Sequence, residues 1–189
     1  VLDRDFDGRA DARYVIDTGL NQPSGVAWRD GDLFVAALDR ILRYRGVDAR
    51  LANPPEPEVV TAAFPTDPHH GWKVLGFGPD GLLYTNVGAP CNVCLRDEIY
   101  ATIVRLDVDA TAPAIGIVAS GVRNTVGFDW HPGTRELWFT DNGRDWLGDH
   151  APPDELNRLS FVGQHFGFPH VHGAALADPV FGADVSAAD

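Results

Sequence analysis

At 189 residues the chain is long enough for one sizeable core, or for part of a larger one. A formal charge of −12 leaves no basic stripe to neutralise phosphates, which argues against nucleic acid as a partner. No run of about 18 apolar residues occurs, so no membrane span is predicted.

The start, VLDRD, is neither an initiator Met nor a signal peptide, and it reads as a piece of a longer or processed protein. The first element is the loop DRDFDGRAD, residues 3–11. Carboxylates at Asp3, Asp5, Asp7 and Asp11, with Gly8 between them, reproduce the opening positions of a calcium loop. Alternate oxygens can face one hard cation, Gly permits the sharp turn, and the Arg9 carbonyl is the expected backbone ligand. Tyr14 stands where the bidentate Glu belongs, which predicts modest affinity. The plain alternative is a solvated acidic turn.

Helical periodicity is scarce beyond this loop, and 20 Gly and 14 Pro punctuate the chain as turns. What recurs is an apolar strand, a tight Gly-containing turn and a second strand: GVAWRDGDLFVA (25–36), LGFGPDGLLYTNVG (75–88) and GFDWHPGTRELWFTDNG (127–143). Leu33, Leu83 and Leu137 of the second strands lie 50 and 54 positions apart. A further strand follows each unit, in RILRYR, TIVRLDV and ELNRLSF. A repeat of roughly 50 residues with four short strands predicts an all-β chain of β-propeller blades. About three to three and a half blades fit, so residues 1–189 are expected to form part of a single propeller domain whose later blades lie outside this chain. A plain meander with common turn chemistry is the competing fold. The end, FGADVSAAD, reads as neither helix nor strand.

Three motifs between and after these units can carry chemistry. PHHGWK, 68–73, puts two histidines on the loop leading into an inner strand, where a side chain points toward the propeller axis. Imidazole suits general-base work near neutral pH, although a structural or exposed histidine is the more common case. PCNVC holds the only two cysteines. Two thiols cannot complete a zinc site, Leu95 rules out CxxCH haem attachment, and the surrounding residues read as loop rather than as a redox helix. A local Cys91–Cys94 disulfide is expected, and with it an oxidising compartment. In residues 121–157, GVRN, TDNGRD and PDELN bring a guanidinium and amides near carboxylates. That set suits an anionic ligand held with a divalent cation, or equally a group of ion pairs and Asx-turns tying blades together.

In the order LNQPSGVAWRDGDLFVA, HHGWKVLGFGPDGLLYTNVGAPCNVC, GVRNTVGFDWHPGTRELWFTDNGRDWLGD and PPDELN…GQHFGFPHVHG, the chain resembles the glucose/sorbosone dehydrogenase family. These are soluble six-bladed propellers that use pyrroloquinoline quinone (PQQ), and the likeness is greatest to the sorbosone-dehydrogenase-like branch. The resemblance implies that the catalytic base, eight residues before the Gly of the GPDG turn, is His70. His69 stands where glucose-oxidising members tend to carry an acid, which puts glucose itself in doubt as the substrate. Arg123 and Asn124 match the family's Arg–Asn pair at the cofactor, with Arg123 stabilising charge on the quinone. The carbonyls of Gly143 and Arg144 match the ligands of the PQQ-bound calcium, and Asn142 lies beside the quinone. Glu155, with Asp154 next to it, matches a second, structural calcium.

The implied reaction is oxidation of an aldose or sorbosone-like sugar by hydride transfer to the quinone, with an external electron acceptor, in a periplasmic or secreted protein. The family's remaining cofactor ligands lie in later blades, so the site is expected to be completed by the rest of the propeller or by a second copy in a homodimer. A non-catalytic calcium-stabilised binding module and a lactonase-type calcium-dependent hydrolase are the alternatives.

Overall fold

The structure, a computed structural model, describes residues 1–184. Period-two alternation of apolar residues, broken by turns, produces short strands. The first sheet contains β1 (Gly25–Arg29), β2 (Asp32–Ala36), β3 (Ile41–Tyr44) and β4 (Glu58–Thr61), hydrogen-bonded in chain order. Asp30 and Gly31 join β1 to β2 with φ of 53° and 86°, the left-handed pair that a tight hairpin needs to match strand twist. The second sheet contains β5 (Gly76–Phe77), β6 (Leu83–Val87), β7 (Thr102–Leu106) and β8 (Gly116–Ser120). The third contains β9 (Phe128–Trp130), β10 (Leu137–Asp141) and β11 (Glu155–Arg158). Each neighbouring pair within these sets is antiparallel.

The four-strand unit holds for the first two sheets and fails for the third. Of ELNRLSF, only Glu155–Arg158 is strand. The chain then turns at Gly163, φ 91°, and β12 (Gln164–His165) joins the outer edge of the second sheet, parallel to β8. Hydrogen bonds from Gly163 N to Val118 O (2.7 Å) and from Phe166 N to Ser120 O (2.8 Å) flank that pairing. Phe166 meets Phe139 edge-on at 4.9 Å, so the crossing segment also packs on the third sheet. A small hairpin of β13 (Val171–His172) and β14 (Leu176–Ala177) follows. At the expected structureless end, Gly182–Asp184 make one 3-10 turn and residues 185–189 lie outside the described residues.

The sheets pack face to face as successive blades of a propeller. Phe34, Ala36 and Ile41 of the first blade meet Leu83, Val87, Val104 and Leu106 of the second. The second blade's other face, with Tyr84, Ile103, Val118 and Ala119, meets Leu137 and Phe139 of the third. The repeated leucines lie at comparable places: Leu137 faces the second blade, Leu83 the first, and Leu33, like Ile16 and Leu20 of the preceding segment, packs on the cluster of Val35, Leu42, Tyr44 and Val47. Each fully buried side chain of this size contributes roughly 1.5–3 kcal/mol. At the rim between the first two blades, Asp109 binds both Arg29 (2.5 Å) and Arg43 (2.9 Å), while the Arg29 guanidinium lies 4.4 Å from the Phe77 ring centroid. No helix among the described residues is long and apolar enough to cross a membrane.

Leu83 is wholly buried at the interface between the first two blades. Leu83→Ala is expected to lower unfolding free energy by about 2–5 kcal/mol in a urea titration; a loss below about 1 kcal/mol would mean that this interface does not carry the fold.

Candidate functional site

A cavity of about 600 Å³ opens where the segments leading into β5 and β9 meet the loop after β10. His69, His70, Trp72, Lys73, Asn124 and Asn142 contribute to its wall. The segments are fastened by one side chain. Asn86, buried in β6, accepts from Val74 N (2.8 Å) and donates to Trp72 O (3.0 Å) and Thr125 O (3.1 Å). On the other side, Ser24 Oγ accepts from Lys73 N at 2.8 Å, and the buried Lys73 Nζ donates to Leu38 O (2.6 Å) and Gly71 O (3.2 Å). Burial pushes the Lys73 ammonium down to about 8, against the pull of Asp39.

His70 has the left-handed φ of 51° and fits only because residue 88 is glycine. A Cβ on Gly88 would lie 2.6 Å from His70 Cβ and 2.7 Å from its carbonyl oxygen. His70 Nδ1 is 2.8 Å from Ala89 O. A carbonyl can only accept, so Nδ1 carries the proton and Nε2 keeps its lone pair, without a partner among the described residues. Burial first, and then the Arg123 charge, hold the His70 pKa down at about 4, with the Ala89 bond opposing. The ring is thus neutral over the physiological range. His69 lies tilted against it, centroid to centroid 4.1 Å.

The turn before β9 is shaped by Asp141, the last residue of β10. Its buried carboxylate accepts from Arg123 N (2.9 Å) and Asn124 N (2.7 Å), and Asn142 N reaches Asn124 O at 3.1 Å. Burial raises the Asp141 pKa to about 7 even though both N–H groups favour the anion. The carboxamides of Asn124 and Asn142 have no partners among the described residues, and both residues line the cavity. The buried Thr125 hydroxyl on the same wall also lacks one.

Arg123, expected at the cofactor, does not line the cavity. Its buried guanidinium donates to Asn92 O (2.8 Å), Asn92 Oδ1 (2.9 Å), Asn142 O (3.1 Å) and Asp145 Oδ2 (3.2 Å). Asn92 sits inside the Cys91–Cys94 disulfide, which forms as expected with Cα atoms 6.2 Å apart.

The expected metal ligands divide into two places. Near the loop after β10, Gly143 N donates to Asp154 Oδ1 (2.9 Å), and Glu155 accepts from Gly173 N (2.6 Å) and Asn157 Nδ2 (2.9 Å). The Arg144 side chain binds the buried Asp178 carboxylate, which lies 2.8 Å from His172 Nε2 as well. Burial acts to raise the Asp178 pKa but is outweighed by hydrogen bonds from His172, Phe181 N, Arg144 and Val180 N, which hold it well below the usual carboxylate range. At the N-terminus, carboxylate oxygens of Asp3, Asp5 and Asp11 lie within 4.8 Å of one another. Asp3 Oδ1 is buried there without a partner. Asp7 is not in this group; its Oδ1 instead accepts from Arg9 N at 2.8 Å.

Sequence reasoning missed Asn86, Asn92 and Asp141. Asn86 left a signal, being an amide inside the apolar run LYTNVG. Asn92 and Asp141 stand in polar turns and left none.

Scanned against models of known protein families, the chain matches none. An uncharacterized protein of Borreliella burgdorferi is 32% identical over 170 residues, covering 85% of this chain and 44% of that protein. Among solved structures, the iodide structure of the Trichoderma reesei carbohydrate-active enzyme of family AA12 aligns with a TM-score of 0.75 at 20% identity, over 93% of this chain and 49% of that one. Its calcium structure aligns at 0.71, 18% identical, over 85% and 46%. The holo form of the pyranose dehydrogenase PQQ domain from Coprinopsis cinerea aligns at 0.63, 13% identical, over 83% and 56%. These likenesses establish the all-β propeller fold. The chain spans about half the length of the proteins it matches.

Gly88→Ala is expected to push His70 from its place, because the new methyl group would meet backbone as well as side chain. The His70 ring resonances should shift in an NMR spectrum, with a stability loss of about 1–3 kcal/mol; unchanged resonances would show that residue 88 does not fix the imidazole.

Proposed function

We propose that the cavity binds pyrroloquinoline quinone with calcium, and that the chain is part of a dehydrogenase acting on an aldose or a sorbosone-like sugar. The observation that carries this reading is His70: a neutral imidazole on the cavity wall, its Nδ1 proton committed to Ala89 and its Nε2 free to take a proton. The donor set fits the cofactor. Two unpartnered carboxamides and an unpartnered buried hydroxyl sit on the wall of a cavity large enough for a tricyclic quinone or a sugar.

PQQ, when bound, supplies the acceptor for the two electrons that leave the sugar carbon. The chain's own groups do the rest. His70 Nε2 takes the proton of the hydroxyl on that carbon. Asn124 and Asn142 orient the ligand through their amides, alongside His69. Arg123 contributes its positive charge from within the wall, since four hydrogen bonds to protein oxygens already occupy its guanidinium. The Gly143 and Arg144 carbonyls would hold the calcium at the site, with Asp154 and Glu155 close by for a second ion. The clustered oxygens of Asp3, Asp5 and Asp11 would take another, with Asp7 and Arg9 drawn in on binding. The remaining ligands would come from further blades, in the same polypeptide or in a second copy. An external acceptor would reoxidise the cofactor. The Cys91–Cys94 disulfide favours a periplasmic or secreted location.

The test is to titrate PQQ into the protein with calcium present, using this chain and the chain together with the blades that complete the ring. Quinone absorbance is followed, and then its bleaching by aldoses and sorbosone. Saturable binding is expected, with sugar-dependent bleaching slowed about 10²–10⁴-fold in His70→Ala. Because His70 works only when unprotonated, the rate should fall with decreasing pH near 4 rather than near 6.5. Absence of binding by both forms would sink the quinone reading and leave a calcium-stabilised binding module or a lactonase-type hydrolase.

A further inference from the structure

The loop between β6 and β7 belongs to neither of the segments that lead into β5 and β9, yet its tip is tied to the far side of the candidate site. Asn92 Oδ1 accepts from Arg123 Nη2 (2.9 Å) and from Asp145 N (2.7 Å). Asn92 Nδ2 donates to Asp145 O (3.1 Å), and Asn92 O accepts from Arg123 Nε (2.8 Å). One residue of the second blade therefore grips both the turn that leads into β9 and the loop that follows β10. Those two segments carry Asn124 and Asn142. The disulfide between Cys91 and Cys94 closes the chain around Asn92, so the side chain is presented from a ring rather than from a free loop.

We propose that Asn92 is a positioning residue of this site, and that the Cys91–Cys94 ring holds it so that the Arg123 charge stays fixed beside His70. The inference rests on the reading of His70 as the base and deepens it. The chemistry explains the residue type. A carboxamide can accept from the guanidinium and from one backbone N–H through its oxygen while its nitrogen donates to the carbonyl of the same residue; a carboxylate would have no proton for Asp145 O. Arg123 needs such a holder, because it is buried and every N–H left unpaired there is costly. The groups acting on His70 are Arg123, His69 and Asp145, with Lys73 on the same cavity wall. Of these, Arg123 and Asp145 are both held by Asn92; the Arg123 charge disfavours the protonated imidazole and the smaller effect of Asp145 opposes it, so Asn92 acts on the imidazole through Arg123 without touching it.

The experiment follows the His70 ring by NMR across a pH titration of the cofactor-free protein, so its outcome does not depend on whether quinone binds. In the parent protein the midpoint is expected at about 4. Asn92→Ala should move it part of the way toward the ordinary 6.5, as Arg123 leaves its fixed place while burial persists. On an Arg123→Gln background, Asn92→Ala should add no further rise. An unmoved midpoint in a folded Asn92→Ala protein, or a further rise on that background, would overturn the proposal. A second measurement needs no variant: hydrogen exchange at Arg123 Nε should speed up by about tenfold or more when the disulfide is reduced. Unchanged exchange would overturn the role given to the ring.

Discussion

The carboxamide of Asn86 joins two stretches of backbone that no strand pairing connects. From the middle of β6 it holds the segment leading into β5 at two points and the segment leading into β9 at one. Blades pack through their apolar faces, which fixes their spacing but leaves the inner connections free to slide, because hydrophobic contact has no direction. A buried amide has direction. Its donors and acceptor must all be matched, and the one arrangement that matches them brings the Trp72 and Thr125 carbonyls to a single side chain at the cavity wall.

The same pattern runs through the other buried polar groups. Asp141 binds two backbone N–H groups, Lys73 two carbonyls, and Arg123 three backbone or amide oxygens besides one carboxylate. Charge in this part of the interior thus serves mainly to hold loops rather than to meet other charges. Burial shifts all three toward neutrality, Asp141 upward and Lys73 and Arg123 downward. His70 differs in kind. One of its nitrogens is anchored to a backbone carbonyl and the other has no partner among the described residues.

The repeat was legible in the sequence because it is written in local chemistry. The turns Asp30–Gly31 and Pro79–Gly81, and the leucines at 33, 83 and 137, place strands and faces without reference to distant residues. The cavity histidines were legible for the same reason, standing directly before an inner strand. What could not be read depends on contacts between segments far apart in the chain. Nothing near Arg123 indicates that Asn92, 31 positions earlier, will occupy its guanidinium. The departure of the chain at Gly163 toward the second blade was equally hidden, since Gln164 and His165 carry no strand pattern of their own.

That departure gives the second and third blades a mechanical connection. Between stacked repeats, stability ordinarily resides in the shared face, so one unit can loosen while its neighbour holds. Here the strand that leaves the third blade is sewn along the outer edge of the second, with Phe166 returning to Phe139. Separating the two blades would require β12 to be stripped from β8 at the same time as the face is opened. The pair is built to melt as one cooperative block, and the outer edge of the second blade, a bare row of peptide groups in an unpaired sheet, is shielded from pairing with a stranger.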